Sequence, residues 1–82
     1  MAFENVPNIG KVVAEKLTQA GIEDIKDLIM VGSEQAFIRL KTIDPTCCIN
    51  MLYALEGAVQ GIRWHHLEKT RKDELLNFFR TL

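Results

Sequence analysis

The sequence predicts an all-α domain, a compact bundle of about five short helices with no strand. Two observations predict it. Apolar residues recur three and four positions apart in successive windows along the chain. The breaks between those windows fall at Gly21, Gly32, the Asp44-Pro45-Thr46 segment and Gly61, residues that end helices.

The first helix is expected from about Gly10 to Ala20, with Ile9, Val13, Leu17 and Ala20 on one face. Lys11, Glu15, Thr18 and Gln19 fall on the solvated side, and Gly21 suits a left-handed terminator. Asp24 reads as the cap of a short second helix, and Asp27 adds negative charge to its first turn. Ile25, Leu28 and Ile29 form its inward face, and Gly32 stops it. Ser33 reads as the cap of a third helix through about Lys41, with Ala36, Phe37 and Leu40 inward and Ile43 continuing that face. Pro45 ends it by disfavouring helical geometry at Asp44.

A fourth helix, roughly Cys48 to Gly61, is capped by either Asp44 or Thr46. Met51, Leu52, Leu55, Ala58, Val59 and Ile62 give it the broad apolar stripe of the most buried helix. Ala54, Gly57, Ala58 and Gly61 let a neighbour pack closely against it. The last helix, about Glu68 to Thr81, repeats Leu75, Phe78, Phe79 and Leu82. Adjacent Phe78 and Phe79 lie about 100° apart around it, so one is expected deep in the core and the other at its rim.

Eighty-two residues make one domain, 1–82, with no room for a second core. Ten basic against eleven acidic residues leave a net charge of −1, which argues against strong non-specific nucleic-acid binding. The N-terminus lacks a basic segment followed by a long apolar one, and no apolar run approaches a membrane span. A cytoplasmic protein without membrane attachment is the expectation. Cys47 and Cys48 are adjacent, an awkward geometry for a disulfide, and read as reduced thiols, buried or half-buried near a helix start. One of them could have its pKa lowered by helix amides. The Cys47-Cys48 and His65-His66 pairs lack the looser spacing of zinc sites, so no metal is expected. Neither a carboxylate dyad, a Ser-His-Asp pattern nor a phosphate loop is evident. The chain is therefore expected to be no enzyme, with no cofactor and no small-molecule substrate.

The segment Pro7-Asn8-Ile9-Gly10-Lys11 carries the functional question. A helix starting there presents unpaired N–H groups, and amides of Ile9, Gly10 and Lys11 could cradle a phosphate with Lys11 adding charge. Further along, Leu52-Tyr53-Ala54-Leu55-Glu56-Gly57-Ala58 and then Gly61-Ile62-Arg63-Trp64 resemble the signature of the TfoX C-terminal domain family. Pro7-Asn8-Ile9-Gly10, Gly21-Ile22 with Asp27-Leu28, and Arg71 with Leu75 extend that resemblance, in order, over nearly the whole chain. The resemblance implies helix-hairpin-helix (SAM-like) character and a link to bacterial regulators of competence for DNA uptake. In that family the domain follows a distinct N-terminal one, whereas here the hairpin comes almost at once after Met1, so a stand-alone domain is expected. The hairpin segment also resembles elements of DNA repair proteins and of the C-terminal domain of the RNA polymerase alpha chain, which use loop amides and a nearby cation against DNA backbone.

Two functional readings stand beside each other. In the first, Ile9, Gly10 and Lys11 with the Gly21-Ile22 turn contact DNA or RNA backbone without reading sequence. An aromatic and basic patch of Arg63, Trp64, His65 and Arg71 could add to it by stacking, while its plainer role is to bury Trp64 against the last two helices. In the second, the domain binds a protein partner or forms a homodimer, through Met30, Val31 or Ile38 and the Trp64 region. Glu56 is read as an internal cap or a partner for Arg63 or Arg71.

Overall fold

The computed structural model describes residues 2–82, and five α-helices with one 3₁₀ turn make up its regular structure. In chain order these are α1 (Lys11–Gln19), α2 (Ile25–Val31), α3 (Ser33–Ile43), α4 (Ile49–Gln60), a 3₁₀ turn at Trp64–His66, and α5 (Lys69–Arg80). The expected all-α fold is what forms, and no strand occurs among the described residues. α4 is the axis: α2, α3, α5 and the 3₁₀ turn all pack on it. Leu17, Ile22, Leu28, Phe37, Leu40, Leu52, Leu55 and Leu75 fill the fully buried centre. Phe3, in the turn ahead of α1, plugs one end of that core at 5% exposure.

Local chemistry explains the helix ends. At α1 the Ile22 amide bonds back to Leu17 O (2.8 Å) and Gly21 N to Thr18 O (3.0 Å), with Gly21 at φ +83°. Gly61, at φ +74°, repeats the device after α4, with Ile62 N on Gly57 O (2.8 Å) and Gly61 N on Ala58 O (3.1 Å). Both are six-residue Schellman closures, which the left-handed glycine permits. Asp24 caps α2 by accepting from Asp27 N at 2.9 Å, as its position in the sequence suggests.

Several expectations fail for tertiary reasons. Ser33 is not a cap. Gly32 precedes α3, and the Ser33 hydroxyl, 3% exposed, turns inward to a carboxylate on α4. Ile29 is exposed, because α2 meets the core through Ile25, Leu28 and Val31, a three-residue repeat that turns Ile29 outward. Ile43 and Leu82 are exposed at helix ends that run past the core. Phe78 and Phe79 are both only partly buried, since α5 is anchored deeper by Leu75; Phe79 lies against Phe37 at 5.8 Å. Val31 and Ile38, expected as exposed contacts, are half-buried, and Met30 alone of the three stands clear.

Neither Asp44 nor Thr46 caps α4, whose cap position is Cys48. Asp44 instead takes Lys16 Nζ at 2.6 Å and the Thr46 amide at 3.0 Å, and these bonds hold its carboxyl well below the usual carboxylate range. Cys48 is exposed, contrary to the half-buried thiol expected, because the cap position faces outward. Cys47 is buried, and burial pushes its thiol pKa up rather than down. A thiol reagent such as DTNB is therefore expected to titrate Cys48 in the native protein, with Cys47 reacting only on unfolding. Two equally fast thiols would contradict this.

Candidate nucleic-acid interface

The hairpin is built around Asn8. Its backbone is left-handed, at φ +69°, a conformation Asn tolerates better than most residues. From there its side chain spans to the far end of α4: Nδ2 donates to Ile62 O (2.9 Å) and Ala54 O (3.3 Å), and Oδ1 accepts from Trp64 N (3.2 Å). The approach is possible because residue 57 lacks a side chain. A Cβ on Gly57 would lie 2.5 Å from Asn8 Nδ2 and 2.7 Å from Ile62 O. Gly57 therefore admits the hairpin loop, while Ala58 is buried in the core and nothing lies within 4 Å of a Cβ at Gly61.

This clamp fixes the entry to α1. Gly10 is the cap residue of that helix, and Lys11 begins it, both exposed. The first amides of α1 have no intrahelical acceptor. Ile9 contributes differently from its expected role: its side chain is half-buried against the core, and its amide faces Val6 O at 3.5 Å. A shallow depression is lined by Asn5, Val6, Pro7, Asn8, Ile9, Gly10 and Arg63. Arg63 is thus brought to the hairpin from the other half of the chain.

Gly21 is not. It closes the opposite end of α1, about 13 Å away by helix rise. There the Arg39 guanidinium donates to Ala20 O at 3.4 Å.

Trp64 is partly buried and belongs to a ring stack rather than to the core alone. Its indole lies against Tyr53 (centroids 6.2 Å, planes 14° apart) and against His65 (4.2 Å, 26°). Lys72 Nζ sits 5.6 Å from the Trp64 ring centre and 6.0 Å from that of Tyr53. His65 is exposed. Lys72 belongs to the basic cluster that the sequence places around Trp64, whereas no local signal marks Tyr53, which meets Trp64 because the 3₁₀ turn packs on α4.

Arg71 leaves the surface patch. Its Nη2 donates to Glu56 Oε1 (3.1 Å) and Glu34 Oε1 (3.3 Å), and its Nη1 to Glu74 Oε1 (3.4 Å). Glu56, 7% exposed, also accepts from Ser33 Oγ (2.6 Å) and Gln60 Nε2 (2.6 Å). Burial alone would raise the Glu56 pKa. The hydrogen bonds from Arg71, Ser33 and Gln60 outweigh it and bring the carboxyl below its ordinary value. Arg71 is an internal counter-ion, joining α3, α4 and α5.

Among the described residues Lys11 and Arg63 form no ion pair, as is also true of Lys26, Arg39, Lys41, Lys72 and Arg80, whereas Lys16, Lys69 and Arg71 do. No group of three or more His, Cys, Asp or Glu among the described residues could hold a metal ion. No helix among them is long and apolar enough to cross a membrane.

Known proteins share both the sequence and the fold. The family model described as TfoX C-terminal domain matches residues 2–79. Protein Sxy of Escherichia coli (strain K12) is 29% identical over 73 residues, covering 89% of this chain and 35% of that protein. The chain thus spans about a third of the length of this curated relative. A triclinic crystal structure of an uncharacterized Listeria monocytogenes protein is 49% identical, with a TM-score of 0.93 over 98% of this chain and 90% of that one. A tetragonal crystal structure of a Listeria monocytogenes protein of unknown function is 48% identical, with a TM-score of 0.92 over 96% of each chain.

Proposed function

Because the chain belongs to the TfoX C-terminal domain family, we propose that it is a non-catalytic regulatory module, linked to competence for DNA uptake, whose hairpin seats on nucleic-acid backbone. One observation carries the nucleic-acid part: the Asn8 clamp holds the start of α1 beside Arg63, and neither Lys11 nor Arg63 is in an ion pair. Backbone N–H groups at a helix start, flanked by cations free of carboxylates, suit a phosphodiester. With a chain of charge −1, affinity at physiological salt belongs at the weak end of the non-specific range, about 10⁻⁴ M.

Fluorescence anisotropy with short labelled DNA and RNA at low and moderate salt tests this. Affinity should fall steeply with salt, and Arg63→Ala should reduce the salt slope by about 1 without altering sequence preference. Lys11→Glu should weaken binding further. Absence of binding at low salt, or indifference to both substitutions, refutes the reading. A second reading, docking of a protein or of a second copy on α2, has Ile29 and Met30 in its favour, 52% and 85% exposed. Two adjacent side chains are far short of the roughly 800 Å² per partner of a stable interface. That contact would be insensitive to salt.

A further inference from the structure

We propose that the exposed ring of His65 is a seat for an unpaired nucleobase, next to the phosphate position at the hairpin. The chain would then prefer single-stranded or junction nucleic acid to a continuous duplex. This rests on the nucleic-acid reading above and adds the class of ligand. The rings themselves supply the first observation. His65 is stacked on Trp64 at 4.2 Å and Trp64 on Tyr53 at 6.2 Å, so the indole joins His65 to a ring on α4. One face of the His65 ring is taken by the indole, and the residue as a whole is exposed. The inner rings make His65 a supported platform rather than a free side chain, which lowers the ordering cost of stacking on it.

Charge surrounds this platform on two sides. Lys72 stands over the inner rings, and Arg63 lies two residues before His65, lining the hairpin depression. The backbone amide of Trp64, between those residues, is tied to Asn8. The hairpin is thereby joined to the segment that carries Arg63 and His65. A strand whose phosphate sits at Gly10 and Arg63 runs past His65 with its next base free to stack. In a duplex that base is paired inside the helix, and its π-face is unavailable.

The test uses intrinsic fluorescence of Trp64, the sole tryptophan of the chain. An oligo-dT strand, an oligo-U strand and a blunt duplex of equal length are titrated at low salt, with anisotropy recorded in parallel. Either strand is expected to bind about tenfold more tightly than the duplex, the size of one base–aromatic stack, and to change Trp64 emission. The dT and U arms tell whether DNA or RNA is the better source of that base. His65→Ala should lose this margin while leaving duplex binding unchanged, and His65→Tyr should keep it. His66→Ala, at an exposed position with no ring contact, is the control. Equal binding of strand and duplex, or an unaffected His65→Ala, overturns the platform while the hairpin reading survives. Failure of all three nucleic acids to bind overturns both.

Discussion

Gly57→Ala is expected to destabilise the domain by about 2 kcal/mol, lowering Tm by roughly 8–16 °C for a domain of this size. The sign is not obvious from local rules. Alanine at an interior helical position normally gains about 1 kcal/mol over glycine. Here the added methyl meets two backbone atoms, Ile62 O at 2.7 Å and Trp64 N at 3.1 Å, besides the Asn8 amide at 2.5 Å. Backbone cannot swing aside as a flexible side chain can, so the Gly61 turn and the Asn8 clamp must open. Loss of the Asn8 bonds, each about 1 kcal/mol net, exceeds the propensity gain. Gly10→Ala is the informative contrast. Nothing lies within 4 Å of a Cβ there, and φ is −88°, so its cost should stay below about 1 kcal/mol. Thermal and urea unfolding followed by circular dichroism measures both, and an unchanged or raised Tm for Gly57→Ala would refute the clamp.

The second large effect belongs to Glu56. Its replacement by Ala strips the acceptor from a buried Ser33 hydroxyl, from Gln60 and from Arg71 in one step. We expect a loss of about 3 kcal/mol, the lower end of what breaking a buried ion pair costs, because Arg71 keeps Glu34, Glu74 and partial access to water. The same carboxylate makes stability depend on pH. Its folded pKa lies below the ordinary 4.5, so its contribution is complete above that value and is lost as pH falls through the folded pKa. Asp44, also held low, acts in the same direction. Tm should therefore drop as the protein is acidified below about pH 4.5, and Glu56→Gln should flatten that drop. In Arg71→Met the strongest lowering influence is gone while burial remains, so the acid-induced loss should begin at higher pH. An Arg71→Met profile identical to wild type would contradict the network.

Helix positions are legible in the sequence because their terminators are chemical: Gly21 and Gly61 close α1 and α4 through left-handed backbone, and Asp24 caps α2 with its own carboxylate. Those are local devices, readable from a few neighbouring residues. The features that escape such a reading are set at long range. Ser33 looks like a cap by every local rule, yet its hydroxyl is drawn to Glu56, 23 positions away. The Arg71–Glu56 pair is among those the sequence suggests, but its second carboxylate, Glu34, lies 37 positions back and no local signal marks it. The hairpin itself is visible as Pro7 to Lys11, but the reason for Asn8 is not, since all its partners lie on the other half of the chain. Arg63 joins the hairpin for the same reason. The ring stack needs α5 docked on α4 before Lys72 stands beside Tyr53 and Trp64.

The Asn8 clamp also orders events in time. It ties residue 8 to carbonyls 46 and 54 positions later in the chain. Chain synthesis delivers the hairpin segment first and its anchors after most of the domain has left the ribosome. Until α4 and the Gly61 turn fold, nothing holds Asn8 in its left-handed conformation, and the start of α1 has no fixed neighbour. The loop is held in its shape only once these long-range contacts close, and their closure carries an entropic cost that grows with separation. The hairpin geometry is thus a property of the finished domain: a fragment ending before α4 would carry the whole hairpin sequence without the partners of Asn8.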